Sequence, residues 1–136
     1  MIQKRTTRKR DKPAQTGSVV ETQAIYRMIG LARRAGRVIG GTDAVDKAIR
    51  QQQARLVIVA SDAAGRTCRQ IEQTASHDRI AVTVFGEKQQ LGHWTGSVNR
   101  AVLAIVDTHF ALRLHDMIKQ AADVPVQVNK AAAPEV

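Results

Sequence analysis

Arg33 to Arg50 reads RRAGRVIGGTDAVDKAIR. Two cations and a glycine close one helix, because cations suit the negative helix C-terminus and glycine accepts the conformation that ends it. The short apolar segment Val38-Ile39 reads as a brief strand. Gly40, Gly41, Thr42 and Asp43 then open a second helix, with Val45, Ala48 and Ile49 on one face and Lys47 one turn inside. Helix, strand, glycine turn and helix in so short a span predict an α/β protein. They also raise the question of why two glycines, a hydroxyl and a carboxylate stand at one helix entrance.

Outward from this stretch, the periodicity keeps alternating. On the N-terminal side, from Thr22, the residues Ile25, Met28, Ile29 and Ala32 recur at helical spacing. On the C-terminal side, RLVIVA (55–60) is a continuous apolar run of the kind a strand buried on both faces requires. Ala64, Cys68, Ile71 and Ala75 mark another helical stripe, and IAVTVF (80–85) reads as a second buried strand. GEKQQLGHWTGSVN (86–99) reads as a short helix and a glycine-broken loop, and RAVLAIVD (100–107) as a further strand. A last helix opens at Thr108 as its cap and carries Phe110, Leu114, Met117, Ile118 and Ala121 on one face. This order predicts a three-layer α/β/α sandwich with a four-stranded mixed sheet, spanning residues 21–121.

The 136 residues suffice for one domain, and with 43% apolar but only 3% aromatic residues its core is aliphatic. The net charge of +9 points to a polyanionic partner. Six Lys/Arg and one Asp fall in the first twelve residues. Residues 1–20 lack apolar periodicity and read as a disordered basic tail, and 122–136, Ala-rich, as a flexible one. No apolar run approaches a membrane span. Cys68 stands without a second cysteine, which fits a reducing, cytoplasmic setting.

Catalytic and metal chemistry find little support. The P-loop and dinucleotide glycine patterns are absent. His77, His93, His109 and His115 lack ligand spacing, and one cysteine makes no zinc site. Asp43 and Asp46 lie three apart, but Lys47 and Arg50 follow, so a solvated face with local ion pairs is expected. No serine sits in a nucleophile elbow. Neither an enzyme nor a cofactor is expected.

Three loops carry polar or glycine residues. GGTD can be an ordinary Thr- or Asp-capped helix start, or an entrance open to a phosphate or base. SDAAGRT, with Asp62, follows the strongest strand, where open α/β sheets place ligands. LGHWTG (91–96) holds Trp94, either a base-stacking aromatic or a lid on the core.

These segments together resemble the ribosomal protein L7Ae family, most of all its short bacterial YlxQ-like branch. The resemblance runs from Ile29 to Thr67 and from Ile80 to Asp107, in order and with matching spacings. It implies an α/β/α sandwich that binds structured RNA, in many members at kink-turns. The family pattern G-x-N-E-x-x-K falls on Gly41 to Lys47, with Asp43 in place of Asn and Ala44 in place of Glu. The pattern L-G-x-A-x-G falls on Leu91, Gly92, His93, Trp94, Thr95 and Gly96, with Trp94 in place of the small residue, and the apolar contact after it on Val98.

The expected function is therefore a non-enzymatic, ribosome-associated RNA-binding protein, monomeric and without a membrane partner. Its RNA surface is expected to hold Gly40, Gly41, Thr42, Asp43, Lys47, Arg50 and Asp62 from the first two loops, with Leu91 to Gly96 and Val98 from the third. A protein–protein adaptor with a degenerate RNA site, or the RNA-recruiting subunit of a separate modifying enzyme, is the alternative.

Overall fold

The computed structural model describes residues 13–122, and the side chains of 22–121. Five helices and four strands alternate: α1 (Pro13–Arg34), β1 (Val38–Gly40), α2 (Thr42–Arg50), β2 (Leu56–Val59), α3 (Gly65–Asp78), β3 (Val82–Val84), α4 (Lys88–Trp94), β4 (Val102–Ile105) and α5 (Thr108–Ala122). The strands lie in the order β1-β4-β2-β3. β4 is antiparallel to both β1 and β2, whereas β2 and β3 are parallel, so the sheet is mixed.

Alternation along the central strands divides the core in two. Leu56, Ile58, Leu103 and Ile105 face α1, α4 and α5, where they meet Ile25, Ile29, Leu91 and Leu114. Val57, Val59, Val102 and Ala104 face α2 and α3 and meet Val45, Ile49, Ile71 and Ala75. β2 and β4 are buried along their whole length because helices cover both faces. Burying each such aliphatic side chain contributes about 1.5–3 kcal/mol. Truncating Ile58 or Leu103, each fully buried in a central strand, would cost about 2–5 kcal/mol.

Four expectations change. The segment 13–20, read as part of a disordered tail, is the first part of α1. Proline is tolerated in a first helical turn, and no second proline interrupts the chain before Gly36. Residues 1–12, with the six basic residues, and 123–136 lie outside the described residues. β3 is an edge strand, with Val84 60% exposed, because only β2 pairs with it. The apolar run alone does not tell an edge strand from a central one. At α5 the cap is Asp107, whose Oδ2 accepts from the Phe110 amide at 2.9 Å, and not Thr108. Asp46, placed on a solvated face, is buried.

Candidate nucleic-acid interface

The register brings the loops together. Gly40 is paired with Leu103, Val59 with both Val102 and Val84. The C-terminal ends of β1, β2 and β3 and the N-terminal end of β4 therefore share one end of the sheet. Backbone bonds tie the loops there: Gly41 donates to Val102 O at 3.0 Å, Ala60 to Ala101 O at 2.8 Å, and Ser61 to Gly86 O at 2.7 Å. Arg100 N donates to Lys88 O at 3.0 Å, joining the start of α4 to the start of β4.

At the α2 entrance the N-cap residue is Gly41, with φ 101° and ψ 146°, and no side chain caps the helix. The capped-start reading is thus set aside. Gly41 is required by its backbone conformation, which L side chains rarely adopt. At Gly40 the matter is space, taken by the flexible Arg100 side chain. A Cβ there would stand 2.7 Å from Arg100 Nε and 3.1 Å from its Cδ. The Arg100 side chain runs along both glycines, reaching 3.2 Å from a Cβ position on Gly41 with its guanidinium. The space expected to be open above the glycine pair is filled by an arginine. Thr42 is half-buried, Asp43 and Ala44 are exposed on the first turn of α2, and Lys47 is exposed in its last turn.

The third loop is built from the inside out. Asp62 Oδ1 accepts from the Lys88 amide at 2.9 Å and so holds the start of α4. Leu91 is fully buried, and Gly92 presses on the Val98 carbonyl, 2.6 Å from where its Cβ would be. Thr95 is buried, its hydroxyl donating to Leu91 O at 2.6 Å. Trp94 is half-buried, packs on the α1/α4/α5 side of the core, and stacks on Tyr26 with centroids 6.4 Å apart and planes at 13°. Its Cε3 lies 3.1 Å from a Cβ position on Gly30. Trp94 is therefore a core lid. His93, exposed, stands edge-on to it at 5.4 Å. Val98 is 82% exposed, an apolar side chain held out to solvent. Burial pushes the Tyr26 phenol above its ordinary value, and nearby Glu87 and Asp62 add to that, against the Glu87 amide that donates to its oxygen at 3.3 Å.

Of the expected surface, then, Gly40 and Gly41 meet Arg100 at the end of the third loop, and Thr42, Asp43 and Lys47 follow them along α2. Leu91, Gly92 and Thr95 shape that end of the sheet from within, and Asp62, itself exposed, ties the second loop to the start of α4. Arg50 sits at the far end of α2, ion-paired with Asp46, whose Oδ1 also accepts from Thr74 Oγ1 at 2.6 Å. It lies on the α3 side of α2, away from the loop end of the sheet, with its side chain largely exposed. Two cations were absent from the expected surface: Arg100, and Arg33, whose guanidinium lies 2.8 Å from a Cβ position on Gly96. No local signal marks them, since each reaches its glycine from a distant segment.

Residues 23–114 match the model of the Ribosomal protein L7Ae/L30e/S12e/Gadd45 family. The chain belongs to this family. It is 30% identical over 93 residues to the RNA-binding protein YlxQ of Bacillus subtilis (strain 168), across 68% of this chain and 93% of that one. The same identity holds over 97 residues with the RNA-binding protein YlxQ of Enterococcus faecium, across 71% and 93%. A solved protein of unknown function from Bacillus halodurans C superposes with TM-score 0.68 at 33% identity, covering 70% of this chain and 96% of that one. The Giardia lamblia 15.5kD RNA binding protein shares the fold, with TM-score 0.60 at 15% identity over 77% of this chain and 88% of that one.

Within this L7Ae-type frame the two departures from the family pattern differ in kind. Trp94, in place of a small residue, turns inward and is absorbed by Gly30 and Tyr26. Asp43 and Ala44, in place of Asn and Glu, face solvent at the α2 entrance. Nothing in the structure explains that choice.

Proposed function

We propose that this protein binds structured, kink-turn-like RNA through the loop end of its sheet, as a non-enzymatic partner of ribosomal RNA. The observation that carries the reading is the uncapped α2 entrance, met at Gly40 and Gly41 by Arg100 from the loop that holds out Val98, with Lys47 exposed further along α2. Two relatives bear the name RNA-binding protein, and the family description speaks of ribosomal proteins, which supports the same reading. The net charge of +9 suits a polyanion.

Each group has a task such a partner would need. Lys47 directs three donors toward guanine O6 and N7 or toward phosphate. Val98 offers an apolar contact to an unstacked base. Ionised Asp43 only accepts, so it suits the N1–H that a guanine leaves free in a sheared G·A pair, and it cannot donate as Asn would. Ala44 adds no polar group. Binding to a standard kink-turn is therefore weaker than an Asn-Glu pair would provide.

The test is a titration against a kink-turn hairpin and a plain duplex of equal length at one fixed salt concentration. Lys47→Ala should weaken kink-turn binding by about 1–3 kcal/mol. Asp43→Asn with Ala44→Glu should tighten it by about 1–3 kcal/mol, the worth of one good bidentate base contact. A protein that holds neither RNA is no RNA-binding module, and the adaptor reading takes its place.

A further inference from the structure

Arg33 and Arg100 come from different parts of the chain, the end of α1 and the start of β4, yet each lies on a glycine of the loop surface. Arg100 lies along Gly40 and Gly41, and Arg33 lies on Gly96. Gly96 and Arg100 belong to one loop, with exposed Val98 between them. The ion pairs of the described residues are Asp46–Arg50 and His77–Asp78, and neither of these two arginines joins one. Two guanidiniums are thus laid against glycine backbone, with no carboxylate paired to them among the described residues. A guanidinium carries five N–H donors in a planar fork that matches the oxygens of a phosphodiester.

We propose that Arg33 and Arg100 are the phosphate-binding groups of this surface, and that Gly40 serves to seat Arg100 rather than to admit RNA to bare backbone, whereas Gly96, at φ 78°, is glycine by its backbone and carries Arg33 above it. The inference rests on the RNA reading above and goes beyond it by naming the groups that meet the RNA backbone. It assigns the glycine pair two separate tasks. Gly41 lets the chain turn, and Gly40 leaves room for a side chain from the loop that leads into β4.

The probes are the kink-turn hairpin and the equal-length duplex, titrated by fluorescence anisotropy at several KCl concentrations. Arg100→Ala and Arg33→Ala should each weaken binding roughly five- to 100-fold, and to similar extents on both RNAs. Each should lower the slope of log K against log salt by about 0.7–0.9. Arg100→Lys, which keeps the charge and loses the fork, should fall between parent and Arg100→Ala. Gly40→Ala should mimic Arg100→Ala, because its Cβ displaces a flexible side chain and leaves the sheet intact. In the Arg100→Ala background Gly40→Ala should cost nothing more. If Gly40→Ala costs the same in both backgrounds, RNA meets the glycine itself and the proposal fails. It fails also if both arginine variants keep the parent's affinity and salt slope while the parent binds RNA. A parent that binds neither RNA overturns the RNA reading, and this inference with it.

Discussion

Trp94 lies stacked on Tyr26, ring centroids 6.4 Å apart and planes 13° from parallel, with Gly30 beneath it. The indole thus covers the aliphatic core between α1 and α4. Trp94→Ala should lower the unfolding free energy by about 2–4 kcal/mol, somewhat under the usual cost for a fully buried Trp. RNA affinity of the folded variant should stay close to the parent's. Urea denaturation and RNA titration of the same preparation separate the two. A variant of unchanged stability that loses RNA binding would make Trp94 a base-stacking residue.

Asp46 is the buried carboxylate of α2, holding Arg50 on its own helix and Thr74 on α3. Removing it takes the charge-assisted acceptor from the Thr74 hydroxyl, which keeps its bond to Gln70 O at 3.1 Å, and the ion partner from exposed Arg50. Asp46→Ala should destabilise by about 1–3 kcal/mol. Asp46→Asn, which can still accept from Thr74, should cost less. A double-mutant cycle with Thr74→Val should show coupling of about 0.5–3 kcal/mol, since the two share one bond. Additive effects would mean the bond contributes nothing.

Neighbouring glycines should respond in opposite ways. Gly41→Ala forces a side chain into φ 101° and should lower stability by about 1–3 kcal/mol. Gly40→Ala meets only the flexible arm of Arg100, so its thermal midpoint should move far less. Equal losses in thermal unfolding would show that Gly40, too, is held by its backbone.

Tyr26 makes stability sensitive to alkali. Its phenol is raised above the ordinary value, chiefly by burial, so folding favours the protonated form. That contribution is fully present below about pH 10 and is lost as pH rises through the raised value. As the chain has one tyrosine, tyrosinate absorbance reads it directly. The absorbance midpoint of the folded protein should lie above that in denaturant. Tyr26→Phe should flatten the alkaline fall in unfolding midpoint, and an equally steep fall would assign it to other groups.

Period and apolar runs were enough to predict the sandwich. Helix stripes such as Val45, Ala48 and Ile49 and continuous runs such as Leu56–Val59 state which faces must leave water, and burial then follows from the hydrophobic effect. The loops that meet at the sheet end could be named because their glycines and polar residues break those periods. Their inner and outer members could not be told apart. Thr95 looks polar in the chain but is buried and donates inside α4, while Asp62 stays exposed and spends one oxygen on the first amide of α4. Arg50 looks like part of a basic helix face, but its charge is taken by Asp46 one turn earlier. Local composition carries no record of such pairings. The seats of Arg33 and Arg100 lie further still from any local signal, because each joins segments far apart in sequence. Only the closing of β4 against β1 puts Arg100 on Gly40 and Gly41, and only the packing of α1 beside α4 puts Arg33 on Gly96.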